Sequence, residues 1–323
     1  MQRRQFIGLI GGAAAWSLAS HAQERGRIYR LGIMTASLKK GEPPIVAFFD
    51  ELQMSGFIEG KNLKVDGGAY GPRNEQLPEI VAAIAKSPPD VIWCSTEAQM
   101  RVTHAAVRDV PIVGLTTDMV ATGLVKSLAS PGGNITGISL LSPELDSKRQ
   151  DILIDAVPGA RRMAALADGN ATTPSQLDSL RDATSARGIE LVIFTVRMTE
   201  DILTVMNEIK TSNVAAINVL GSPLLFANRR LIIERSAVLR LPTIFEWPEM
   251  AEEGGLIGYG ARASSIFRQG ARMVVKVLRG VKPADIPVEQ PTNFELVINL
   301  KTAQAIGHEV PAALVLRADQ VIE

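Results

Sequence analysis

From Ile28 onward the chain alternates two hydrophobic rhythms. Short β-branched runs read as strands, and apolar stripes with three- and four-residue spacing read as helices. Ile28 to Met34 forms the first run. Ile45, Phe48, Phe49 and Leu52 then share one helical face, which Gly56 ends. Leu63 to Ala69 is a second strand, and Leu77, Ile80, Val81 and Ile84 repeat the helical spacing. Asp90 to Cys94, Pro111 to Leu115 and Ile135 to Leu140 complete a first set of strands. Such alternation predicts parallel βαβ units.

The second half repeats this design. Met163 to Ala167 and Ile189 to Phe194 are strands, separated by a stripe of Leu177, Leu180 and Thr184 that stops at Gly188. Thr199 is placed to cap a helix whose stripe is Ile202, Val205, Met206 and Ile209. Val214 to Leu220 is the next strand. Two local echoes support duplication. Val107-Arg108-Asp109-Val110-Pro111-Ile112-Val113 matches Val238-Leu239-Arg240-Leu241-Pro242-Thr243-Ile244, and Pro89 to Trp93 matches Asn213 to Ile217. The fold class is therefore α/β, with two similar, doubly wound parallel-sheet lobes. Beyond them, Ile257 to Gly260 is a short strand. Ile266, Phe267, Gly270, Met273, Val274, Val277 and Leu278 line one side of a long helix. Pro283 to Pro291 is extended, Phe294 to Ile298 is a last strand, and the tail holds one or two short helices.

The first 22 residues have the layout of a secretory signal peptide: Arg3 and Arg4, then apolar Phe6 to Leu18, then Ser20-His21-Ala22 as a cleavage site. The apolar stretch is too short to span a bilayer. Arg3-Arg4-Gln5-Phe6-Ile7 resembles a twin-arginine signal, so Sec and Tat export both stay open. Cleavage after Ala22 predicts a periplasmic mature chain. Lysine plus arginine and aspartate plus glutamate balance at 34 each, so no basic excess points to nucleic acid. The single cysteine, Cys94, lies in an apolar strand and reads as a buried hydrophobe.

Open parallel sheets bind ligands outside the carboxyl ends of their strands. Two facing lobes would bind between those ends. In the first lobe this rule nominates Thr35, Ser37, Tyr70, Ser95, Thr96, Thr117 and Asp118. In the second it nominates Asp168, Asn170, Ser222, Glu246 and Tyr259. Hydroxyls and helix-start N–H groups suit a small anion. Asp118, Asp168 or Glu246 suits an ammonium, and Tyr70, Phe245, Trp247 or Tyr259 suits an apolar body. Each polar residue also has a plain structural reading as a helix cap.

Pro131-Gly132-Gly133-Asn134 is a turn; it lacks the lysine of a P-loop. No metal or serine-hydrolase motif is present, and no cofactor site is indicated. The enzyme alternative is a secreted catalyst acting on a small metabolite through a carboxylate pair that sequence spacing does not reveal. A transcriptional regulator with a similar sensor would need an N-terminal helix-turn-helix. The signal segment occupies that place.

Several long stretches carry a resemblance: Val120-Ala121-Thr122-Gly123-Leu124-Val125, Pro131 to Gly137, Leu241 to Ile244 with Glu246-Trp247, Lys282 to Thr292, Phe294 to Lys301, and Arg317-Ala318-Asp319. In these the chain resembles the substrate-binding proteins of ABC transporters related to the tryptophan/tyrosine-binding group. The resemblance implies a type I periplasmic binding fold whose lobes are joined by a three-strand hinge. The crossings would lie near Ser139 to Pro143, Gly258 to Arg262 and Gln290 to Phe294. The implied N-terminal lobe is 23–139 plus 262–290, and the C-terminal lobe is 140–261 plus 291–323. It further implies a small amino-acid-like or aromatic ligand, a monomer, and an ABC permease in the inner membrane as partner. No chemistry is done on the ligand.

Overall fold

The computed structural model describes residues 26–35, 38, 40–70 and 76–323. The expected signal peptide and Ser37 lie outside the described residues. No helix among the described residues is long and apolar enough to cross a membrane.

The first sheet is built from β1 (Tyr29–Thr35), β2 (Leu63–Tyr70), β3 (Val91–Cys94), β4 (Ile112–Thr116) and β5 (Ile135–Ser139). All its pairings are parallel, in the order β2-β1-β3-β4-β5. β3, β4 and β5 are buried along their whole length, as strands covered on both faces must be. Helices α1 (Pro43–Met54), α2 (Leu77–Lys86) and α3 (Glu97–Ala106) connect them. Pro43 sits where a helix start needs no N–H donor, and α1 buries Ile45, Phe48 and Leu52.

The chain then enters a second sheet through α4 (Ser142–Ala156), which lies on β8 and β9. This half contains β6 (Arg162–Asp168), α5 (Pro174–Ser185), β7 (Glu190–Val196), α6 (Asp201–Thr211), β8 (Ile217–Val219), α7 (Pro223–Ala227), α8 (Arg229–Leu239), β9 (Thr243–Phe245), α9 (Pro248–Glu252) and β10 (Ile257–Gly260). Within it the order β7-β6-β8-β9-β10 repeats that of the first sheet, with the second strand outermost and the first beside it. Duplication is thus visible in topology as well as in the sequence echoes.

After β10 the chain returns. Helix α10 (Ala263–Leu278) packs on α1, β3, β4 and β5. Its buried face holds Ile266, Phe267, Gly270, Met273, Val274, Val277 and Leu278, the stripe read from the sequence. Gly270 is required there: a Cβ would stand 2.3 Å from the Trp93 ring. The following segment is stitched along β5, with Glu289 N–H donating to Gly137 O at 2.9 Å and Ser139 N–H to Glu289 O at 3.0 Å. The chain then adds β11 (Glu295–Asn299), α11 (Leu300–Ile306), α12 (Ala312–Val315) and β12 (Gln320–Ile322) to the second sheet. β11 pairs antiparallel with β10, the one antiparallel pairing among the named strands.

Two expectations change in detail. The strand expected over 214–220 is only Ile217–Val219, because Asn213 turns with φ of 56° and the ladder with β6 begins at Ala164↔Ile217. Thr199 does not cap α6: Glu200 occupies the N-cap position and no side chain caps the helix, while Asp201 turns back to accept the N–H groups of Arg197 and Met198 at 2.8 and 3.1 Å. The Thr199 hydroxyl instead accepts from Asn228 Nδ2 at 3.1 Å.

Candidate functional site

The chain passes from one sheet to the other after β5 and again after β10. Leu141, at the first passage, has a left-handed backbone with φ of 57°, rare for a side chain of its size. Its N–H donates to Thr117 O at 3.1 Å, and Leu140 N–H donates to Thr116 O at 2.9 Å. Backbone bonds to the end of β4 therefore hold the bend.

Most nominated polar residues of the first lobe have local hydrogen bonds. Buried Thr35 donates to Leu38 O at 3.1 Å. Ser95 N–H is shared between Met34 O and Gln99 Oε1, at 3.1 and 2.9 Å. Thr96 caps α3, accepting from Gln99 N–H at 3.3 Å. Asp118 Oδ1 accepts from the amides of Val120 and Ala121 at 2.9 and 3.0 Å. Tyr70 ends β2 in register with Thr35.

The second lobe behaves similarly. Asp168, almost wholly buried, accepts from Asn170 N–H at 2.9 Å, and Asn170 Nδ2 donates to Arg197 O at 2.8 Å. Ser222 caps α7 through Leu225 N–H at 3.0 Å. These bonds fix the backbone at the strand ends. The Tyr259 ring lies 6.4 Å from that of Phe294, beside the apolar cluster of Ile257, Leu296 and Ile298.

One small cleft does draw residues together: Leu140, Leu145, Arg149, Glu246, Trp247, Gly260 and Ala261 line it. They come from the first crossing, from α4, and from the ends of β9 and β10. Glu246 reaches this point because its neighbour is Gly221, where a Cβ would stand 2.5 Å from the carboxylate. Tyr259 is not part of the lining, since alternation along β10 directs it away from Gly260.

Arg149 is the residue the sequence pattern did not nominate. Its side chain is wholly buried and ion-paired with equally buried Asp146. Its Nη1 donates to Tyr259 O at 3.1 Å, while its Nε has no partner. Asp146 also accepts from Gln176, and Asn218 Nδ2 bonds Gln150 Oε1 at 3.1 Å. This is a connected polar core beneath the cleft, and a buried pair of this kind favours a fixed geometry more than raw stability. The available signal was Asp146 and Arg149 at i, i+3, following Ser142-Pro143.

Glu249 is a second unforeseen group. Its carboxylate is largely buried and its oxygens have no well-formed hydrogen bond. Burial pushes its carboxyl up, against the opposing pull of its own amide, of Arg262, and of the amides of Ser264 and Ala263 at the start of α10. Asp146 neutralises Arg149, and Glu246 adds a second carboxylate to the lining. Among the described residues no group of three or more His, Cys, Asp or Glu could hold a metal ion.

Comparison with known proteins identifies the family and the fold. The sequence profile of a family described as ABC transporter substrate binding protein matches residues 45–322. A tyrosine-binding protein of Clostridioides difficile is 26% identical over 271 residues, covering 80% of this chain and 75% of that protein. A conserved domain protein from Vibrio cholerae superposes with a TM-score of 0.83 at 23% identity, covering 91% of this chain and 100% of the other. The ABC domain from Streptococcus pneumonia, solved with L-Trp, superposes with a TM-score of 0.80 at 22% identity, with the same coverage. The two parallel-dominated sheets make the type I periplasmic binding protein fold.

Proposed function

This chain belongs to the ABC transporter substrate-binding protein family, and on that premise we propose that it is the periplasmic component of an importer. It takes up a small amino-acid-like or aromatic ligand between its lobes and delivers it to a permease in the inner membrane. The lobes comprise 23–139 plus 262–290 and 140–261 plus 291–323. Residues 1–22 direct export, and the mature chain acts as a monomer, without cofactor and without chemistry on its cargo.

The cleft lining is the observation that carries this reading. The carboxyl group of Glu246, the braced guanidinium of Arg149 and the ring of Trp247 meet at the ends of β9 and β10. That is the donor and acceptor set a zwitterion with an apolar side chain needs. The names of the relatives, a tyrosine-binding protein and a domain solved with L-Trp, suggest the same class.

Thermal unfolding of refolded protein, with L-tyrosine, L-tryptophan, aromatic acids, sugars and nucleosides, tests it. A ligand at about 100 times its dissociation constant adds about 2.7 kcal/mol of stability, an easily measured rise in Tm. A rise with L-tyrosine, L-tryptophan or an aromatic acid supports the reading. A rise only with sugars or nucleosides removes the ligand class. Turnover of any of these compounds would overturn the transport role.

A further inference from the structure

Glu42 lies just before α1 and leaves that helix start uncapped, its side chain making no capping bond. It reaches instead to Arg229, which opens α8 on the second sheet, with Arg229 Nη2 standing 3.4 Å from Glu42 Oε2. These residues are 187 positions apart and belong to different lobes.

Arg229 is held ready for this contact. Its Nε and Nη2 donate to the two oxygens of Glu253 at 2.8 and 3.0 Å, and its Nη1 donates to Phe226 O at 3.3 Å. Its guanidinium lies 4.5 Å from the centre of the Phe226 ring. Arg230 adds a longer contact to Glu253 at 3.9 Å. The Arg229 side chain is only 10% exposed, against 25% for Glu42. A planar fork fixed on one side loses little freedom when it takes a second carboxylate. When the lobes part, Arg229 keeps Glu253, so no buried charge is stranded.

The contact is joined to the cleft. Phe226 meets Trp247 edge-on at 6.1 Å, and Trp247 lines the cleft. A ligand pressed against Trp247 therefore steadies the ring on which Arg229 rests.

Building on the binding-protein reading above, we infer that Glu42, Arg229 and Glu253 form a clasp between the lobes that sets ligand affinity without touching ligand. The clasp stabilises the closed form alone, so it raises affinity by shifting the open–closed balance. Its outer partner is partly exposed, so the effect weakens as salt rises.

Glu42→Gln is the test, because it leaves the Arg229–Glu253 pair whole. Titration with L-tyrosine and L-tryptophan should show affinity lowered about 3- to 10-fold, mainly through faster dissociation. Wild-type affinity should fall between about 20 mM and 500 mM salt, and the variant's should fall less. Equal affinity and equal salt dependence in the two proteins would overturn the clasp. A second arm needs no ligand and stands even if neither amino acid binds, an outcome that would sink only the ligand class. Small-angle scattering at low salt should give a radius of gyration that rises from wild type to Glu42→Gln to Glu42→Lys. Three coincident curves would overturn the proposal.

Discussion

Arg149 and Tyr259 are joined across the base of the cleft by a hydrogen bond of 3.1 Å from the guanidinium to the peptide carbonyl. This ties the middle of α4 to β10 one residue before the strand ends. The two elements flank two passages between the sheets, so the bond braces that junction.

Breaking the brace on one side should be costly. Arg149→Met strands the buried Asp146 carboxylate and should destabilise by about 3–5 kcal/mol. The double change Arg149→Met, Asp146→Asn should recover part of the loss, as coupled partners do. Chemical denaturation of the four proteins of the cycle measures this. Additive losses would show that the two side chains are energetically independent.

Gly221→Ala tests the placement of Glu246. The added methyl would stand 2.5 Å from the Glu246 carboxylate, which must swing away. Affinity for L-tyrosine or L-tryptophan should fall about tenfold or more while Tm falls modestly, because the flexible carboxylate yields before the backbone does. Unchanged affinity would remove Glu246 from the site.

Cys94 should be inert in the folded protein. Burial pushes its thiol up to about 12, despite the opposing contact with Thr103. Almost no thiolate, the reactive form, then exists near pH 8. Ellman's reagent should react only as fast as the protein unfolds. Reaction at the rate of a free thiol would contradict the burial.

Glu249 gives a pH dependence of defined sign. Burial raises its carboxyl above the ordinary value of 4.5, so the folded protein holds that proton more tightly than the unfolded chain does. Its contribution to stability is full below about 4.5 and is lost as pH rises through the folded value. Glu249→Gln cannot lose a proton, so its urea midpoint should exceed that of wild type more at pH 7 than at pH 4. A pH-independent difference would mean that the group titrates normally.

Much of the architecture was legible because single faces meet single cores. The stripes of α1, α6 and α10 are apolar at helical spacing, and each of those faces is buried. Helix α4 was not legible, since its buried side carries Asp146, Arg149 and Gln150 among its apolar residues and so breaks the period. β12 was missed because it is an edge strand, with Gln320 exposed and its neighbours half-buried. At the cleft, strand ends named Glu246 but not its neighbour Arg149, which lies 97 positions away on a helix. Their meeting at one cleft is a product of topology, and local spacing carries no trace of it.

The return of α10 to the first sheet constrains how the molecule can be assembled. Trp93 packs between Phe48 and Phe267, at 5.1 and 5.5 Å, and Phe267 follows it by 174 positions. The half of the protein that is made first thus waits on a helix made after most of the other half. Until α10 is synthesised, the Phe267 side of Trp93 has no cover, while β6 to β9 of the other sheet already have their partners. A chain cut after β10 would leave one lobe with an open apolar face, and folding from the amino end should pause there, dependent on the arrival of α10.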